Sequence, residues 1–253
     1  MPVLAALPPG YEAWSLDTGG VVARSDVAAA VRAALAGHGT LYAWAGAQAD
    51  RVTFAGRGEA FGVRLGQVPA VVRHARRGGY VIAPLLGDRF LGTPRFFREL
   101  RWSARLSDAG IPTPRLLAGA WHRRGAVHRA DVATERLDGT NLASLFFAGT
   151  PPLGERRRAV LAAVGRLVRR LHDAGVVHPD LQLGNVLAAP GADSPVAALL
   201  DVDTCRAARG PADIARNIQR FYRSWEKWNR RRGVGLSAED RAVFASAYAE
   251  AAR

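Results

Sequence analysis

A chain of 253 residues, 49% hydrophobic and 23% charged, suits one large domain or two smaller ones, which excludes a fibre, a disulfide-stapled miniature and global disorder. Its 35 basic and 22 acidic side chains leave a formal charge of +13 and favour anionic partners, although an arginine-rich codon bias accounts for part of this, since Lys227 is the only lysine. The single cysteine, Cys205, excludes an intrachain disulfide and fits a reducing, cytoplasmic compartment, and no apolar run nears the roughly 20 residues of a membrane span, so any membrane contact is peripheral.

Residues 1–50 read as an N-terminal extension with strand-like pieces and one short helix, Val27 to Leu35, after Ser25-Asp26. From Arg51 to Gly79 the runs RVTFAG, AFGVRLG and VPAVVRHARRGG, β-branched and punctuated by glycine, predict three antiparallel strands. A helix follows, with Thr93 as cap, Pro94 at its first position and Phe97, Leu100 and Ala104 on one face, stopped by Gly110 and Pro112. LLAGAW and AVHRADVATERL flank the turn-prone HRRG and predict a hairpin.

The second half changes character. Val160, Val164, Leu167 and Leu171 mark an amphipathic helix between Gly154 and Gly175. The short apolar runs VVH, NVLA and VAALLD then alternate with polar turns, and DIARNIQRFYRSWEKWN places Ile214, Ile218, Phe221, Trp225 and Trp228 at helical spacing on a core-facing stripe. The expectation is an α+β chain of two lobes with a cleft between them. The extension (1–50) packs on a β-rich lobe with one main helix (51–138), and a mainly helical lobe (139–253) follows a joint near Asp138-Gly139.

HPDLQLGN, residues 178–185, followed by LLDVD at 199–203, resembles the catalytic loop and metal-binding segment of the protein-kinase fold. The resemblance implies Asp180 as the base that orients the acceptor hydroxyl, His178 beside it in the loop, and Asn185 and Asp201 as magnesium ligands. The spacing suits that chemistry. A tight loop holds Asp180 and Asn185 on one lip, a hairpin returns Asp201 alongside, and magnesium takes few protein oxygens in addition to those of phosphate. GRGEAFG contributes Gly56, Gly58 and Gly62 as a phosphate-cradling loop, although Phe61 stands where G-x-G-x-x-G has its third glycine. With no lysine before Lys227, the phosphate-bridging cation of the third strand must be an arginine. Arg73 is the best placed and Arg76 the runner-up, with Glu99 on the following helix as partner.

VVRHARRGG, ADVATERLDG, AGVVHPDLQLGNVL and ALLDVDTCR together resemble the bacterial lipopolysaccharide kinases, among them 3-deoxy-D-manno-octulosonic acid (Kdo) kinase and its heptose-kinase relatives, over most of the chain. The resemblance implies a protein-kinase-like fold and phosphorylation of a sugar hydroxyl, that of Kdo, on a lipid A-linked saccharide at the cytoplasmic face of the inner membrane. ATP and Mg2+ would be the cofactors; neither nucleic acid nor a protein partner is expected. Only about fifty residues follow Asp201, with no A-P-E-like signature, which argues against a protein-substrate platform. Two alternatives stay open: a small-molecule phosphotransferase of the aminoglycoside or choline kinase type, and a pseudokinase-like basic binding protein. Retention of Asp180, Asn185 and Asp201 together speaks for activity.

Overall fold

Successive strands in the first half of the chain send neighbouring side chains to opposite faces. The computed structural model, which describes residues 7–54, 58–75, 88–148, 150–191, 194–233 and 235–250, assembles them into one antiparallel sheet. Its order is β1 (Tyr11–Leu16), β2 (Gly19–Arg24), β7 (Leu116–Arg124), β8 (Val127–Glu135), β5 (Val68–His74), β4 (Ala60–Leu65) and β3 (Val52–Phe54), with β6 (Phe90–Leu91) paired to β8. The three strands and the hairpin expected from the sequence are β3–β5 and β7–β8, and Gly125, at φ 63°, turns the hairpin.

Helices cover both faces of this sheet. Val21, Ala23, Phe61, Val63, Val72 and Leu117 share a core with α1 (Ala28–His38) and α2 (Leu41–Ala47). Val22, Leu116, Trp121, Ala130 and Val132 pack instead on Phe96, Phe97 and Leu100 of α3 (Phe96–Asp108). The N-terminal β1 and β2, which the sequence leaves in an extension, form one edge of the same sheet. Apolar spacing did not mark α2. It forms because Thr40 Oγ1 accepts from the Ala43 N–H at 3.1 Å while Leu41 and Ala45 are fully buried.

The chain partitions into two units, Met1–Arg101 with Arg115–Arg136, and Trp102–Pro114 with Leu137–Arg253. The second half of α3 and the loop after it go with the second unit because Leu106 and Ile111 are buried in that unit's core. There α4 (Leu142–Phe147), α5 (Gly154–Asp173), α6 (Pro211–Arg232) and α7 (Ala238–Glu250) surround a three-stranded sheet of order β12 (Val196–Leu199), β11 (Val186–Ala189) and β9 (Thr140–Asn141). A separate pair joins β10 (Val176–Val177) to β13 (Arg206–Ala207). Val160, Val164, Leu167 and Leu171 are buried on α5, as their spacing predicts, and Gly175 at φ 66° follows the end of that helix. On α6, Phe221 and Trp225 are buried, whereas Ile214, Ile218 and Trp228 are only half-buried. Ser237 and Asp240 cap α7 reciprocally, each backbone N–H donating to the other's side chain at 3.2 Å or less. Among the described residues no helix is long and apolar enough to cross a membrane.

Helices α5 and α7 approach closely at Gly165, where an added Cβ would lie 2.5 Å from the Phe244 carbonyl oxygen and 3.0 Å from the Tyr248 nitrogen. Backbone cannot rotate aside as a side chain can. Gly165→Ala is therefore expected to destabilise the protein by about 1–3 kcal/mol despite its better helix propensity, measured as a lower urea midpoint at unchanged slope.

Candidate active site

Two short ladders hold two loops side by side in the second unit. The 178–185 loop leaves β10 and enters β11, and the 201–205 segment leaves β12 and enters β13, so that β10–β13 and β11–β12 fix both ends of each. Beyond the last β11–β12 pair, Val186 with Leu199, the Leu200 N–H donates to the Asn185 carbonyl at 2.9 Å. Asn185 and Asp201 thus come to one end of one hairpin from 16 positions apart in sequence.

Within the loop, burial alternates. His178, Leu181 and Leu183 are fully buried, while Asp180, Gln182 and Asn185 stay half-buried on the lip. The Asp180 carboxylate accepts from Arg220 Nη2 at 2.7 Å on one oxygen, and from Gln182 Nε2 at 3.0 Å and Asn185 Nδ2 at 3.3 Å on the other. Asn185 Nδ2 also donates to the Asp180 carbonyl at 2.9 Å, which spends the amide's donor side and leaves its oxygen for a ligand. Asp201 is the only described non-glycine residue with positive φ, at 58°. Backbone in this region costs about 1 kcal/mol or more, least for Asp and Asn, and sets the residue apart from an ordinary strand end.

His178, grouped with Asp180 as a catalytic-loop residue and expected to act on the loop's geometry more than on the chemistry, is fully buried. It is a positioning residue. Its Nε2–H donates to the Leu200 carbonyl at 3.0 Å, tying one loop to the other, and its Nδ1 lies 3.4 Å from Thr204 Oγ1. Its backbone is gripped by Asn217 on α6, whose Oδ1 accepts from the His178 N–H at 3.1 Å and whose Nδ2 donates to the His178 carbonyl at 2.6 Å. Ser224 Oγ accepts from the Leu183 N–H at 3.2 Å. Sequence reasoning missed Asp213, Asn217, Arg220 and Ser224. Their signal was a polar stripe at spacings of four, three and four along α6, overshadowed by the aromatic stripe on the same helix.

In the first unit, Arg73 at the end of β5 donates from Nη2 to both oxygens of Glu99 on α3, each at 2.7 Å, which brings together the arginine and glutamate singled out in the sequence. The Glu99 side chain is 8% exposed and that of Arg73 36%, so the pair is open only at its cationic end. Gly62 lies inside β4, paired with Val52 and Val71, where a Cβ would sit 2.9 Å from the Phe54 ring. It belongs to the strand that follows the connecting loop. Gly58 is in that loop, and Gly56 and Arg76 lie outside the described residues.

Residues 43–248 match the lipopolysaccharide kinase (Kdo/WaaP) family. The chain belongs to that family. It is 31% identical over 195 residues to the 3-deoxy-D-manno-octulosonic acid kinase of Vibrio cholerae, covering 76% of this chain and 80% of the relative. It is 33% identical over 199 residues to that of Photobacterium profundum, with 76% and 80% coverage. With that of Xylella fastidiosa it shares 33% over 204 residues, 78% of each. The solved structure of WaaP in complex with acyl carrier protein superposes with a TM-score of 0.52 at 20% identity, covering 78% of each chain. That likeness establishes the protein-kinase-like α+β fold. The protein is accordingly a kinase of the lipopolysaccharide class.

Two histidines of the kinase sit in opposite electrostatic settings. Both ring nitrogens of His74 face carboxylate oxygens, Asp131 at 2.6 Å and Asp88 at 3.0 Å, and the bond to Asp131 most of all raises its pKa above 6.5. His172 is buried between Tyr248 Oη at 2.9 Å and Asn217 Oδ1 at 3.1 Å, and burial lowers its pKa below 6.5. The stabilisation from His74 is complete below pH 6.5 and fades as pH rises through its higher folded value. That from His172 is complete above 6.5 and fades as pH falls through its lower folded value. An NMR titration of the ring protons is expected to place the His74 midpoint above 6.5 and the His172 midpoint below it.

Proposed function

We propose that the kinase transfers the γ-phosphoryl group of ATP, with Mg2+, to a hydroxyl of Kdo in the inner core of a lipid A-linked saccharide. The observation that carries this reading is the gathering of Asp180, Asn185 and Asp201 at the mouth of one hairpin. Among the described residues, no hydrogen bond engages the Asn185 amide oxygen or the Asp201 carboxylate. One amide oxygen and one carboxylate are the hard, sparse donor set that suits magnesium with phosphate oxygens completing its shell. When bound there, magnesium would neutralise charge on the transferring phosphate.

Asp180 would accept a hydrogen bond from the acceptor hydroxyl and take its proton as attack proceeds, with Gln182 and Arg220 holding the carboxylate in place. Arg73, oriented by Glu99, is assigned to the nucleotide phosphates together with the glycine loop that includes Gly58. The kinase would act as a peripheral protein at the cytoplasmic face of the inner membrane. Arg230, Arg231 and Arg232, exposed at the end of α6, would each gain roughly 1 kcal/mol beside an anionic lipid surface.

Phosphate transfer from radiolabelled ATP to a Kdo-bearing lipid A precursor tests the reading. Asp180→Asn is expected to lower kcat about 10²- to 10⁴-fold with nearly unchanged nucleotide affinity; retained turnover with weakened nucleotide binding would remove Asp180 from the chemistry. Asp201→Ala is expected to abolish the magnesium-dependent part of ATP-induced thermal stabilisation. An unchanged magnesium titration in that variant would take the metal away from this hairpin.

A further inference from the structure

Next to Asp180 the chain builds an arrangement that phosphoryl transfer does not itself require. Asp213, in the first turn of α6, is a carboxylate with 3% side-chain exposure, and it accepts from Arg206 Nη1 at 2.7 Å, from the Arg209 backbone N–H at 2.9 Å and from Arg216 Nη2. The guanidinium of Arg206 first, then the Arg209 amide and Arg216, holds its acid form far below the usual carboxylate range, so the anchor is charged at every working pH. What it anchors points outward: the side chains of Arg206 and Arg216 are 39% and 67% exposed. Arg216 has one N–H engaged among the described residues and keeps the rest of its five-donor fork available. One turn on, Arg220 lies on the same helix face as Arg216, 31% exposed and bonded to Asp180.

The cluster is therefore a row of three arginines leading from the loop after Asp201 to the base. Two are pre-set by a buried anion, so ordering them costs a ligand little. The three arginines Arg206, Arg216 and Arg220 outnumber the two carboxylates Asp180 and Asp213, so the row carries net positive charge.

We propose that Arg206 and Arg216, with Arg220 at the base, form the acceptor subsite that binds the carboxylate of a sugar acid and so aims its hydroxyl at Asp180. A planar carboxylate matches the guanidinium fork, and an octulosonic acid carries one that is ionised at neutral pH. The inference rests on the proposed acceptor class and deepens it. A neutral sugar would leave the arginines uncompensated, so the subsite selects the acid among saccharide acceptors.

The test is steady-state kinetics of the full chain with Mg-ATP and two acceptors, a Kdo-bearing lipid A precursor and the same molecule with the Kdo carboxylate as its methyl ester. In the wild type, esterification is expected to raise the acceptor KM about tenfold or more, which needs no variant and is independent of folding. Arg216→Gln is expected to raise KM for the acid by a similar factor, to leave KM for ATP unchanged, and to use acid and ester alike; Arg216→Lys recovers part of the loss. Equal use of acid and ester by the wild type overturns the subsite. So does an Arg216→Gln effect of equal size on both acceptors, which would assign the arginines to a lipid phosphate instead. Absence of transfer to either acceptor would overturn the proposed function with it, whereas transfer without discrimination would overturn the subsite alone.

Discussion

The two bonds between the Asn217 amide and the backbone of His178 are the constraint on which the rest of the second unit's chemistry depends. A loop that places Asp180 and Asn185 on a surface lip must turn its own backbone inward, and the His178 N–H and carbonyl then lie where water cannot satisfy them. Leaving such groups unpaired costs about 1–3 kcal/mol each. One side-chain amide, 4% exposed, meets both demands because it donates and accepts in the same plane. Its oxygen also receives the His172 Nε2–H, and Tyr248 completes the chain on the far side of that ring. A continuous line of hydrogen bonds therefore runs from α7 through α5 and α6 to the loop. From there the His178 ring carries it on to Leu200, next to Asp201.

The charge of the molecule is organised by the same logic of buried acceptors and half-exposed arginines. Glu135 takes Arg24 and Arg115 in the first unit, Glu99 takes Arg73, and Asp213 takes Arg206 and Arg216 in the second. Beside Arg73 and Arg206 the acid is the more buried partner, Glu99 at 8% and Asp213 at 3% side-chain exposure, so it fixes where the arginine's charge is presented, whereas Arg24 and Glu135 are buried alike at 14% and 16%. Arginine suits this arrangement better than lysine, since one planar end can span both oxygens of a carboxylate, as Arg157 does on Asp240 through Nε and Nη2. The strongly basic composition, weak as evidence for any partner, gains meaning only once the positions of the counter-ions are known.

Much of the fold is readable from periodicity. The three strands after Arg51, the hairpin around HRRG, helix α3 and the stripe on α5 all follow from apolar side chains repeating at two or at three to four residues. The elements that escaped are those whose stability is not local. Strands β6, β9 and β13 have two residues each, too few for any period, and exist because a partner strand supplies their hydrogen bonds. Helix α2 owes its seven residues to a capping hydroxyl and a buried face. Gly62 reads as part of a phosphate loop because of its glycine neighbours, whereas its place inside β4 depends on pairing with Val52 and Val71.

By itself the sequence determined the fold class and the order of the chemical groups, because H-x-D-x-x-x-x-N followed by a short hairpin and Asp leaves few ways of bringing two carboxylates and an amide together. It also singled out Arg73 and Glu99, since a strand end and a helix face allow only a handful of partners. Tertiary structure alone decided that His178 turns inward, that Asn217 and Ser224 hold the loop, and that Arg220 reaches Asp180 across 40 positions. Those roles depend on which polar groups burial leaves without water, and burial is a property of packing between segments distant in the chain.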